Sequence, residues 1–198
     1  MIGPAFNSSY ILAKIEDIRS ETTIEEDNYA AALIWMESYG VDITTSSLGY
    51  NIFDTGYSYT YSDMDGSTTI VTKAAELSYQ RGVSTFTAAG NEGNNSWGYI
   101  IAPADGFGTI GAIAGTDNGY RFANGTSAAT PIASGVAALL LSAHPHLKNT
   151  QIRSIILESA SNSSNPNNQI GYGIISAKDA IEFPNLEKVG EDYILHKT

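Results

Sequence analysis

Asn124-Gly125-Thr126-Ser127-Ala128-Ala129-Thr130-Pro131, continued by Ile132-Ala133-Ser134-Gly135, is the stretch that decides the fold. It opens a helix. A hydroxyl residue caps the first turn, and Pro131 is harmless there because N–H groups at a helix start lack intrahelical partners. Apolar residues then continue to Ala143, so the sequence predicts a helix over 127–143 buried on most sides. Capping accounts for the serine and the proline. It does not account for the preceding Gly-Thr or for the small residues that follow. A serine at such a helix start lies among free N–H groups at the positive end of the dipole, a place suited to a nucleophile whose product is an oxyanion.

Working outward, strand-like and helix-like segments alternate. Tyr10–Ile15 reads as a short buried strand, and 25–39 as a helix with Tyr29, Leu33 and Met36 on one face and Gly40 as its stop. Asp42–Ser47 is β-branched and strand-like. The Tyr-, Ser-, Gly- and Asp-rich stretch 51–65 reads as a surface loop. A helix over 68–80, a strand over 83–87 and a strand over 109–114 follow, and helices at 150–159 and near 177–182 come after the apolar one. Short, nearly all-apolar strands alternating with helices predict an α/β fold with a mainly parallel sheet flanked by helices. No repeat and no domain boundary is legible.

The 198 residues carry 10 Lys+Arg against 21 Asp+Glu, a formal charge of −11, which argues against nucleic acid or an anionic membrane as partner. Cysteine is absent, which excludes disulfides, thiolate catalysis and Cys-based metal centres. No apolar run reaches the roughly 18 residues of a membrane span. The first ten residues show no basic region followed by an apolar one, so no signal peptide is legible.

Gly125-Thr126-Ser127-x-Ala129-Thr130-Pro131-x-x-x-Gly135 resembles the nucleophile signature of the subtilisin-like serine peptidases, the subtilases. Two further segments agree with that family, in its order. Ala88-Ala89-Gly90-Asn91 resembles the segment whose Asn amide donates to the oxyanion, here Asn91, with Ala88, Ala89 and Gly90 lining the specificity pocket. Ser46-Ser47-Leu48-Gly49 resembles the strand that pairs with substrate backbone, which assigns Ser47, Leu48 and Gly49 to substrate binding. The resemblance runs from about Ser9 to Ala180. It implies a partial catalytic domain over 1–182, a polar tail over 183–198, an extended polypeptide as substrate, no cofactor, and an exported protein. The implied chemistry is acyl transfer from a peptide carbonyl to Ser127.

Subtilases carry their triad in the order Asp, His, Ser. The Asp and His motifs, D-[ST]-G and H-G-T-x-V-A, do not occur at their places, and 2–14 resembles the segment that follows the histidine helix. The expectation is therefore an incomplete subtilisin-like fold, inactive by itself, whose aspartate and histidine belong to an upstream segment. The alternative is a non-catalytic relic or peptide-binding module of the same fold. His144 lies 17 residues beyond Ser127, about 25 Å along a continuous helix, whereas a base must reach within about 3 Å. His144 and His146 are thus expected to be helix-end residues and His196 to be solvated. The segment 115–124 is too short for the core strands that subtilases place there, which should leave apolar faces uncovered.

Three decoys are set aside. Asp54-Thr55-Gly56 copies the lettering of the catalytic aspartate but lies in a polar loop and reads as a turn. Gly106-x-Gly108-x-x-Gly111 precedes a strand where a dinucleotide site needs a helix. Glu16, Asp17, Glu25, Glu26 and Asp27 lack the spacing of a calcium loop and read as a solvated helix start, so no metal is assigned.

Overall fold

The computed structural model describes residues 3–112, 125–183, 186–189 and 192–195. The chain divides into two compact units, one formed by Ser9–Pro131 and the other by Met1–Ser8 with Ile132–Thr198.

In the first of these, α1 (Ile24–Ser38), β1 (Ile43–Ser46), α2 (Ile70–Gln80), β2 (Ser84–Ala88) and β3 (Ile110–Ala112) follow one another. The strands form one sheet in the order β1-β2-β3, parallel throughout, with Ile43 opposite Ser84 and Phe86 opposite Ile110. Every residue of the central strand β2 is buried. This matches the pattern expected of a parallel strand covered on both faces. Helices α1 and α2 pack against each other. Tyr29 and Leu33 of α1 meet Val71 and Ala75 of α2 in a core completed by Tyr50, Phe53 and Ala102. Gly40, at φ 73°, ends α1 in the left-handed conformation that its place after the helix requires.

The other unit holds α4 (Asn149–Glu158), α5 (Ala177–Ile181) and an antiparallel pair, β4 (Leu186–Val189) with β5 (Asp192–Leu195). The helix α3 (Thr126–Ala143) contains the boundary between the two units, which is why no linker composition betrays it.

Four sequence expectations need correction. Residues 10–15 form no strand, and Leu12 is 84% exposed. Apolar composition marks burial only when a partner strand is at hand, and none pairs with this run among the described residues. Helix α3 is buried over 44% of its length rather than on most sides, with Ile132 exposed. At 18 residues and a mean hydropathy of 1.4, it also meets the length and composition of a membrane span, which the sequence reading held unmet. The fourth correction concerns the acids at the start of α1. Glu25 and Glu26 are 1% and 0% exposed, not solvated. Glu25 accepts from the backbone N–H of Asp17 (3.0 Å) and of Thr22 (2.9 Å), and Glu26 accepts from the Tyr59 hydroxyl at 2.9 Å. Their hydrogen bonds explain how carboxylates can be buried there.

Candidate active site

In open parallel sheets, binding sites form beyond the carboxyl ends of the strands. Here β1 runs out into Ser47-Leu48-Gly49 and β2 into Ala89-Gly90-Asn91. The pairing of Ser46 with Thr87 leaves those two exits side by side. The N-terminus of α3, with Thr126 and Ser127, lies against both.

Two sets of hydrogen bonds fix the arrangement. Asn91 Oδ1 accepts from the Thr126 N–H at 2.9 Å, while the Gly90 N–H donates to Thr126 Oγ1 at 3.2 Å. Thr126 is buried, so it works as a rivet between the β2 exit and the helix start. Because Oδ1 takes the bond, the Asn91 Nδ2 group remains a donor with no partner among the described residues. In the second set, Ser127 Oγ donates to the Ser47 carbonyl at 3.2 Å, and Ser47 Oγ donates to the Ser127 carbonyl at 2.8 Å. Both serines are exposed.

Gly125 enters α3 at φ 115°, and a Cβ there would stand 3.1 Å from Asn91 Oδ1. Both its backbone angle and its closeness to Asn91 call for glycine. We expect Gly125→Ala to lower stability by about 1–3 kcal/mol, read from a thermal melt.

The remaining candidates fall as follows. Leu48 is half-buried and packs on the core, and Ala88 and Ala89 are buried. No hydrogen bond engages the main chain of Leu48 or Gly49 among the described residues. His144 Nε2 lies 2.9 Å from the Ile181 carbonyl, so that ring is held at the end of its own helix. Asn124, His196 and the segment 115–124 lie outside the described residues. Asp54 joins two loops: its carboxylate accepts from the Glu21 N–H at 2.9 Å, and its N–H donates to the Glu21 carbonyl at 2.8 Å. The Gly106–Gly111 run leads into a strand, β3, which begins at Ile110.

Glu16, Glu21 and Glu25 bring carboxylate oxygens within 4.8 Å of one another, although Glu21 did not stand out in the sequence. Partial burial and the charges of Glu25, Glu16 and Asp54 push the Glu21 carboxyl above its usual range. Tyr50 donates its hydroxyl to Glu16, and backbone N–H groups hold Glu25, so the loop's own hydrogen bonds account for this grouping.

Residues 109–173 match the model of the subtilase family. Alkaline elastase YaB from Bacillus sp. (strain YaB) is 42% identical over 81 residues, 41% of this chain. That match spans only 20% of the elastase's length. Subtilisin DY from Bacillus licheniformis is 26% identical over 92% of this chain and 71% of its own. The chain carries a subtilase-family domain. The self-cleaved protease domain of PatA superposes with a TM-score of 0.65, covering 85% of this chain and 71% of that one at 22% identity. That likeness is one of fold.

Three residues of this candidate site carry no role in the sequence reading: Thr126 as a rivet, Ile101 and Glu92. The side chain of Ile101 lies where Cβ atoms of Gly49 and Gly90 would stand, and Glu92 accepts from the Asn91 N–H at 2.5 Å. Only Thr126 carried a signal, because it lies within the Gly-Thr-Ser run.

Proposed function

We propose that this chain carries the nucleophile half of a serine endopeptidase site and does not hydrolyse peptides by itself. Ser127 is the nucleophile, Asn91 Nδ2 the oxyanion donor, Ser47–Gly49 the edge that pairs with an extended substrate, and Ala88–Gly90 a wall of its side-chain pocket. The bond from the Thr126 N–H to Asn91 Oδ1 carries the reading: it fixes the Asn91 amide beside the helix start that presents the hydroxyl and leaves Nδ2 as its donor. The unengaged main chain of Leu48 and Gly49 supports the substrate edge.

Where the Ser127 proton goes, among the described residues, supports the inactive reading. Attack on a carbonyl needs a base to take it, and a main-chain carbonyl such as that of Ser47 is far too weak. The aspartate and histidine come from a segment outside the 198 residues.

An alkylfluorophosphonate tests this, because its phosphorus reacts only with an activated serine. A folded sample, checked by circular dichroism, is expected to remain unlabelled after hours at neutral pH. Labelling of Ser127 that is lost in Ser127→Ala would mean that the chain holds its own base, and the inactive reading would fall.

A further inference from the structure

The two pocket walls do not stay hydrogen-bonded to each other beyond the sheet. Past Ser46 and Ala88 the segment Ile101-Ala102 slots between them. The Ile101 N–H donates to the Ala89 carbonyl at 3.2 Å, while Ala102 exchanges hydrogen bonds with Tyr50 at 2.8 and 3.3 Å. The two residues are thereby anchored one to each side, and the Ile101 side chain lies against both Gly49 and Gly90. A Cβ on Gly49 would stand 2.4 Å from Ile101 Cδ1, and a Cβ on Gly90 would stand 2.9 Å from Ile101 Cγ1. Ile101 is only 7% exposed. Not even a methyl group fits on Gly49 without displacing it, and on Gly90 a methyl would meet Glu92 Oε2 at 2.3 Å as well.

We infer that Ile101 closes the side-chain pocket between Leu48-Gly49 and Ala89-Gly90, so that this site accepts peptides bearing glycine, alanine or serine there and excludes aromatic ones. The inference rests on the proposed substrate edge and adds to it a substrate class. The physical reason is close packing: an aromatic ring brings a volume that a filled gap can admit only by expelling the isoleucine from a buried position. A pocket that discriminates by size alone separates side chains differing by one methylene by about 10- to 200-fold, so a ring against a methyl belongs at or beyond that range.

The test is a titration of the full ¹⁵N-labelled chain, followed by NMR. Its probes are two N-acetyl tetrapeptide amides that differ only in their last residue, alanine or phenylalanine. The alanine peptide is expected to bind at least tenfold more tightly and to shift the Leu48 and Gly49 amides. Ile101→Gly is expected to reduce that ratio at least tenfold, and Ile101→Ala to reduce it less. The wild-type ratio decides the matter even if a variant fails to fold. Equal affinities with Leu48 and Gly49 shifting would overturn the closed pocket while leaving the substrate edge in place. If neither peptide shifts those amides at millimolar concentration, the edge itself is wrong and the inference falls with it.

Discussion

Supplied in trans with a segment bearing a subtilase aspartate and histidine, the chain is expected to cleave an extended peptide, and Asn91→Ala to cut that rate about a hundred- to a thousandfold. The magnitude is subtilisin's own for removal of its oxyanion asparagine. The loss has two sources. One is the Nδ2 donor, which binds charge that exists only in the transition state, so kcat should fall while KM stays close to its starting value. The other is the anchor: without Oδ1 the Thr126 N–H loses its acceptor, and the helix start that presents Ser127 is held by one bond fewer. Asn91→Asp separates the two, since it keeps the acceptor but places a negative charge where the donor stood. It should leave the melting temperature near that of the parent and still abolish the complemented rate. Ser127→Ala sets the background. A complemented rate that Asn91→Ala leaves unchanged would remove Asn91 from the chemistry.

Much of this was legible in the sequence, and for definite reasons. The helix α1 announces itself because Tyr29 and Leu33 recur at helical spacing and Gly40 stops it. The strands β1 and β2 are legible because β-branched and aromatic residues crowd into short runs. Residues 10–15 show where such reasoning ends: their apolar pattern states a preference for burial but cannot name the partner that would provide it. The motif residues Ser127 and Asn91 could be picked out because their types at that spacing have one chemistry in common. Ile101 could not, since an isoleucine before Ala-Pro has no local signal. Its importance comes wholly from Gly49 and Gly90, 52 and 11 residues away (101 − 49 and 101 − 90), being brought against it. A glycine in a sequence shows that space is short; only the fold says what took it.

The last prediction rests on a residue that composition misread. Glu26 sits in the first turn of α1, where acids are ordinarily solvated and interact with the helix dipole. Instead its carboxylate is fully buried, accepts both ways from the Tyr59 hydroxyl (2.9 and 3.0 Å), and takes backbone hydrogen bonding from Val71 and Ile70, in the first turn of α2. It thus caps a helix other than its own, joining α1, α2 and the loop that carries Tyr59. Glu26→Ala removes the acceptor, leaves those donors buried and opens a void, so we expect a loss of about 2–4 kcal/mol by urea unfolding. Burial, with the neighbouring Asp27 charge acting in the same sense, outweighs the hydrogen bonds and raises the Glu26 carboxyl above its usual value of 4.5. The sign of the pH dependence follows. The folded state holds this proton more tightly than the unfolded chain, so the stabilisation is complete below about pH 4.5 and is lost as pH rises through the raised folded value. Asp63 and Asp65 work in the opposite sense. Hydrogen bonds from Thr60 lower Asp63, and those from Thr68 and Ser67 hold Asp65 down to about 2, so their contributions fade only as pH falls below 3.8. The two windows lie on either side of pH 4. In Glu26→Gln the decline above pH 4.5 should flatten while the acid limb below pH 3.8 stays as it was. An unchanged decline above pH 4.5 would show that Glu26 is not the group that titrates there.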